Sequence, residues 1–197
     1  MGAIILAGGK SRRMGRDKAT LPYKTSSLLE QVIHTVREVT SDILVVGSAS
    51  SQHTLSIGHY VPDRYPGEGP LGGLITGLAE MGEGWHWALA CDMPLLKIEV
   101  LRALESAIQE GVMAVIPEIE GRLEPLCALY HHLALPLLNM EFENGQRALH
   151  RAVRKLNMIL LSEAELRNLD PTLESLNNIN TPEEFLALSS KQEPEGA

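Results

Sequence analysis

Ala3-Ile4-Ile5-Leu6-Ala7-Gly8-Gly9-Lys10-Ser11-Arg12-Arg13-Met14-Gly15-Arg16-Asp17-Lys18 is the stretch from which the rest of the chain is read. It opens on an apolar run, Ala3 to Leu6, of the kind that forms a buried strand. Gly8 and Gly9 follow, so backbone N–H groups there can approach a ligand closely and take positive φ without a Cβ clash. Lys10, Arg12, Arg13, Arg16 and Lys18 then place five of the protein's 17 lysines and arginines within nine residues. Crowding of this kind is repulsive unless an anion sits among the cations. Backbone donors followed by ammonium and guanidinium groups suit a polyphosphate, and the stretch predicts a nucleoside triphosphate site.

Two common phosphate loops do not fit. A P-loop needs Gly-Lys followed by Ser or Thr, whereas Lys18 stands between Asp17 and Ala19. A dinucleotide fingerprint needs G-x-G-x-x-G, whereas Gly8 and Gly9 are adjacent and the next glycine is Gly15. A solvated basic loop would account for the charges but not for the paired glycines beside them.

Outward from that stretch, the 197 residues suit one α/β domain, read as 1–188 with a polar tail at 189–197 expected to be disordered. Hydrophobic content of 44% and charged content of 21% are ordinary for a soluble globular chain. No apolar run is long enough for a bilayer and no leader precedes the first strand, so a cytoplasmic location without membrane partners is expected. A net charge of −8 argues against a nucleic-acid surface; one basic loop in an acidic protein suits a small anion. Cys91 and Cys127 form no metal or redox spacing and read as buried thiols. The seven histidines show no ligand spacing, and Trp85 and Trp87 read as packing on one strand face.

Helical spacing marks a segment from Leu28 to Val39, capped by Ser26 or Ser27. Strands are expected at Ile43–Gly47, His59–Pro62 (an edge), Trp85–Ala90, Met113–Ile116, Leu126–Tyr130 and Met158–Leu161. Helices are expected through Leu74–Met81, Glu99–Gln109, His132–Met140 and Gln146–Leu156, with a last one over Phe185–Leu188 capped at Thr181-Pro182. The alternation predicts right-handed β-α-β crossovers and a mostly parallel sheet.

Ligands of such a sheet bind outside the carboxyl ends of its strands. There fall the first glycine loop, the second glycine-rich stretch Asp63 to Gly73, and Cys91-Asp92-Met93-Pro94. Asp92 is the candidate metal ligand, its backbone restrained by Pro94; an Asp capping the next turn is the competing reading. Mg²⁺ takes one or two carboxylates plus phosphate oxygens and waters. Lys18, a mobile point charge, suits a phosphate in transfer, and the planar fork of Arg13 suits departing diphosphate.

Position for position, the opening stretch resembles the L-A-G-G-x-S-x-R-M-G-x-D-K signature of nucleotidyltransferases, and more narrowly that of molybdenum cofactor guanylyltransferases. Cys91-Asp92-Met93-Pro94 resembles that family's C-D-x-P metal motif, Gly69-Pro70-Leu71-Gly72-Gly73 its G-P-L-x-G loop, and Asn178-Ile179-Asn180-Thr181-Pro182 its N-x-N-T-P motif. The resemblance implies a Rossmann-like three-layer α/β sandwich around a mostly parallel sheet. It implies transfer of GMP from GTP to Mo-molybdopterin with Mg²⁺ at Asp92. Molybdopterin-delivering proteins and apo-molybdoenzymes would be the partners on either side of the reaction. Leu6, Ala7, Gly8 and Lys18, beside Gly9, would contact the nucleotide, together with Asp63, Gly72, Gly73 and Asp92. Asn178 and Asn180 would lie near the pterin acceptor, although helix capping also explains Asn and Thr there. Asp63 could equally be a turn residue before Tyr65-Pro66. Lys10, Arg12 and Arg16 fall at family-variable positions and read as surface charge.

Two positions depart from the pattern. Glu124 stands where relatives often have a neutral polar residue before Pro, and it would repel a phosphorylated acceptor unless paired, for example with Arg122. Gly47 stands where some relatives carry Asn. The readings left open are a cytidylyltransferase or related enzyme with another phosphorylated acceptor, and a nucleotide-binding protein without turnover.

Overall fold

Every residue of β1 (Gly2–Ala7) is buried, as happens when both faces of a strand are covered. The computed structural model describes residues 1–8, 22–23, 26–47, 58–179 and 184. Among them β1 lies inside an eight-stranded sheet, parallel to both of its neighbours, β4 (Ile43–Gly47) and β6 (Trp85–Ala90). β5 (His59–Pro62) pairs parallel with β4 and forms that edge of the sheet. Beyond β6 come β9 (Cys127–His131), β7 (Ala114–Ile119) and β10 (Met158–Ser162). β7 turns back through β8 (Arg122–Leu123) before the chain enters β9, so β9 runs antiparallel to β7 and β6; a parallel return would need a long crossover. A two-strand ribbon, β2 (Pro22–Tyr23) with β3 (Ser26–Ser27), precedes the first helix.

Alternate strand residues feed two separate cores. Ala3, Ile5, Val45, Trp87 and Leu89 pack with α1 (Leu28–Val36), α3 (Ile98–Ser106) and α6 (Glu163–Leu169). Ile4, Leu6, Leu44, Val46, Ala88 and Tyr130 pack with α2 (Pro70–Met81), α4 (Leu135–Glu143) and α5 (Leu149–Ala152). The result is the three-layer sandwich that the sequence resemblance implies.

Ser27, rather than Ser26, caps α1, in a reciprocal box with Glu30. α1 and α3 stop at Val36 and Ser106, short of the expected ends. The expected helices after β9 appear as α4 and α5, flanked by 3-10 turns at His132–Ala134 and Val153–Lys155. α6 was absent from the sequence reading, although Ser162 and Glu165 form the same capping box there. The expected helix at 185–188 and the tail at 189–197 lie outside the described residues.

His86 on β6 is buried at 3% exposure, and its Nε2 lies 3.1 Å from the Gly82 carbonyl. That acceptor fixes the proton on Nε2 in the neutral ring, leaving Nδ1 buried with no hydrogen-bond partner among the described residues. Burial lowers the His86 pKa and outweighs the Gly82 bond, with the N-terminal amine and His132 also lowering it and Asp42 opposing. The folded chain thus resists a proton that the unfolded chain accepts near pH 6.5. His86 contributes stability that is present above about pH 6.5 and lost as pH falls toward its depressed folded value. The urea midpoint is expected to drop between pH 7 and 5.5, and His86→Gln to flatten that slope.

Candidate active site

The chain leaves β1 through α1 to β4 on one side, then returns from β5 through α2 to β6 on the other side of β1. Because α1, which follows β1, and α2, which follows β5, lie on opposite faces of the sheet, the loops after β1 and β5 part at their carboxyl ends, the crevice where ligands of such sheets bind. The Cys91 N–H donates to the Leu6 carbonyl at 3.2 Å, holding the start of the Cys91-Asp92 loop against the end of β1. The Asp63 N–H donates to the Gly47 carbonyl at 3.0 Å and ties the end of β5 to that of β4.

Leu6 and Ala7 are buried and Gly8 is exposed. The Leu6 side chain points into the core against Gly73, where an added Cβ would stand 3.3 Å from Leu6 Cδ2. Any contact Leu6 makes in the crevice therefore uses its backbone. A Cβ on Gly47 would lie 3.1 Å from the Ala7 carbonyl oxygen, which gives a packing reason for glycine where some relatives carry Asn.

Asp92 is half-buried, following β6 and followed by buried Met93 and Pro94. Met93 sits in the α1–α3 core and seats the loop from below, while Asp92 beside it stays only half-buried. The Ile179 N–H donates to the Asp92 carbonyl at 3.0 Å. This bond carries exposed Asn178 to the same loop from 86 residues away in sequence.

Asp63 Oδ1 accepts from the Tyr65 N–H at 2.9 Å and lies 3.2 Å from the Thr76 hydroxyl. The Thr76 hydroxyl in turn lies 2.9 Å from the Gly72 carbonyl. The turn role of Asp63 is thus realised by this oxygen. Gly72 and Gly73 are buried in the first turn of α2. A Cβ on Gly72 would fall 2.8 Å from Tyr65 Cβ, so the glycine makes room for Tyr65. Gly69, with φ of +89°, turns the chain into α2, whose first turn carries no acidic side chain.

Arg147 was not singled out from sequence. Its guanidinium stacks 3.9 Å from the centre of the Phe142 ring and pairs with Glu68 of the second glycine-rich loop. Phe142 in turn packs on Tyr65 at 4.5 Å between ring centres. No local pattern announces this strap, because Tyr65 and Glu68 lie in one segment and Phe142 and Arg147 in another, with 79 positions between Glu68 and Arg147.

Glu124 reaches the same end of the sheet through Leu126, whose carbonyl accepts from the Ala90 N–H at 3.0 Å. Burial raises the Glu124 pKa and Arg122 only partly opposes it. Cys127 is buried, and burial first, then the Glu124 charge, pushes its thiol up to about 12. Both cysteines are buried and neither is in a disulfide.

Gly9, Lys10, Arg12, Arg13, Arg16, Lys18 and Asn180 lie outside the described residues. Among the described residues no three His, Cys, Asp or Glu side chains gather as a metal cage, and no helix is long and apolar enough to cross a membrane.

Residues 3–158 match the family model described as the MobA-like NTP transferase domain. The molybdenum cofactor guanylyltransferase of Desulfosudis oleivorans is 33% identical, over 92% of this chain and 91% of its own. A Chloroflexus aggregans protein named "Probable molybdenum cofactor guanylyltransferase" is 36% identical, over 94% and 91%. The crystal structure of molybdopterin-guanine dinucleotide biosynthesis protein A from Archaeoglobus fulgidus superposes with a TM-score of 0.83 at 27% identity, covering 97% of this chain and 98% of that one. With the family model spanning most of the sheet and relatives matched nearly end to end, the chain belongs to the MobA-like NTP transferase family.

Proposed function

We propose that the chain transfers GMP from GTP to the phosphate of Mo-molybdopterin, forming molybdopterin guanine dinucleotide and releasing diphosphate. The observation that carries this reading is the Ile179–Asp92 backbone bond. It brings Ile179, next to Asn178, onto the Asp92 loop, which the Cys91–Leu6 bond holds at the end of β1, and this supports a shared site for the two residues.

The donor set suits Mg²⁺: one hard carboxylate on a half-buried residue, to be completed by phosphate oxygens and waters rather than a protein cage. When bound, the ion supplies charge neutralisation at the α-phosphate. Backbone N–H groups from Leu6 to Gly9 cradle the phosphates, Lys18 follows the transferred phosphate and Arg13 holds the departing diphosphate. Asp63 accepts from the N–H edge of guanine, with Gly72 and Gly73 shaping the wall beside it, and Asn178 and Asn180 hold the pterin. An acceptor phosphate oxygen attacks the α-phosphorus while its bond to the bridging oxygen of diphosphate breaks. That phosphate is already anionic, so no general base is needed, and the residues act by alignment and electrostatics. The acceptor would arrive from a molybdopterin-delivering protein and the product pass to apo-molybdoenzymes, all in the cytoplasm.

Diphosphate release with GTP or CTP, with and without Mo-molybdopterin and Mg²⁺, tests the reading. Release is expected only with GTP, acceptor and divalent ion together. Preference for CTP would overturn the base assignment, and no release with any nucleotide would overturn the enzyme reading.

A further inference from the structure

Asp170 is a carboxylate with 0% exposure at the end of α6. Lys97 Nζ donates to its Oδ1 at 2.6 Å and the Ser175 N–H to its Oδ2 at 2.8 Å. The Lys97 N–H closes the knot by donating to Ser175 Oγ at 3.0 Å. Burying a carboxylate is costly, and apolar residues of the same size often hold a core as well as an ion pair does. What a charged, directional knot adds is one register. Lys97 stands five residues after Asp92, and Ile179 four after Ser175. Segment 170–179 is therefore fastened to segment 92–97 at both ends, by the knot and by the Ile179–Asp92 bond. Within the knot the backbone passes through Leu173 at φ of +53°, and a 3-10 turn at Glu174–Leu176 leads on toward Ile179, a path that a slipped register would not fit.

We propose that Lys97, Asp170 and Ser175 are positioning residues that set Asn178 against the Asp92 loop, and so fix where the phosphorylated acceptor meets the metal-side carboxylate. They touch no substrate. This rests on the guanylyltransfer reading for its kinetic consequence but not for its structural one.

The test compares Asp170→Asn, Lys97→Met, the neutral pair Lys97→Met/Asp170→Asn, and the conservative Lys97→Arg. In Asp170→Asn, in Lys97→Met and in the neutral pair, the KM for Mo-molybdopterin is expected to rise about tenfold, with the dissociation constant for GTP unchanged within about twofold. Lys97→Arg should keep wild-type values. Hydrogen exchange at the Ile179 amide reads the register with no substrate present, and should quicken at least tenfold in Asp170→Asn, Lys97→Met and the neutral pair but not in Lys97→Arg. Unchanged protection of Ile179 in the neutral pair overturns the proposal. So does a parallel loss of GTP affinity, acceptor affinity and melting temperature, the mark of a merely structural role. If the wild-type chain transfers GMP to no pterin, the guanylyltransfer reading fails, while Ile179 exchange still decides the clasp.

Discussion

Replacing Asp92 by asparagine is expected to lower kcat/KM for GMP transfer by about a hundred- to a thousandfold, the range found when a preorganised electrostatic contact is removed. A thousandfold corresponds to about 4 kcal/mol of transition-state stabilisation. The substitution keeps the size of the side chain and one acceptor oxygen, and removes its charge. The backbone should stay in place, because the Asp92 carbonyl, not its carboxylate, accepts from Ile179, and because Met93 is anchored in the core. Melting temperature should then move by no more than about 2 °C, and GTP titrated against Asp92→Asn should show a weakened response to added Mg²⁺. The competing reading, an Asp that caps its own turn, predicts turnover intact and stability little changed in Asp92→Asn, because asparagine caps about as well, with a loss of about 1 kcal/mol only in Asp92→Ala. Steady-state kinetics beside a thermal melt separates the two.

The parts of the fold legible in the sequence were those whose signal is local. β1, β4 and β6 announce themselves as short apolar runs, and they are the strands buried on both faces. The Ser27 cap was narrowed to two residues, because only the reciprocal bond with Glu30 distinguishes it from Ser26. α6 was missed although its Ser162–Glu165 box is written in the sequence: its seven residues bury Leu166 and too little else to show a periodicity. The antiparallel β9 shows why strand direction is harder to read. Its residues look like those of any buried strand, and its direction comes from the β7–β8 hairpin that feeds it.

The site divided along the same line. Asp92, Asp63 and the glycines could be named from their motifs; the Leu6–Cys91 bond joins the ends of β1 and β6, while the Gly47–Asp63 bond ties the Asp63 loop to the end of β4. What each glycine is for could not be read. Gly72 looked like a place for a ligand to approach, yet the space it leaves is filled by Tyr65. Arg147, Lys97 and Asp170 went unnoticed because each acts through a partner at least 70 residues away, and spacing carries no trace of that distance.

Gly77→Val should cost the fold about 3 kcal/mol, the upper end of the usual overpacking range. That is a large share of the 5–15 kcal/mol that holds a typical domain together. Helix propensity alone argues the other way, since a glycine inside α2 is worth about 1 kcal/mol less than alanine there. Packing decides the sign. A Cβ at Gly77 would stand 2.4 Å from Ile4 Cγ2, on a side chain with 0% exposure in the central strand. That methyl is on a β-branched residue with little rotamer freedom, so it cannot swing aside and the helix must lift from β1. Even Gly77→Ala should fail to stabilise, and valine adds two methyls to the same gap. The movement would reach the site, because Gly73, one turn earlier on α2, rests on Leu6 of the same strand. Urea unfolding should show both midpoints at or below wild type, with valine far lower and its residual activity reduced at temperatures where it is still folded. A raised midpoint for Gly77→Ala would mean that α2 does not lie this close to β1, and the argument for the shape of the crevice between them would go with it.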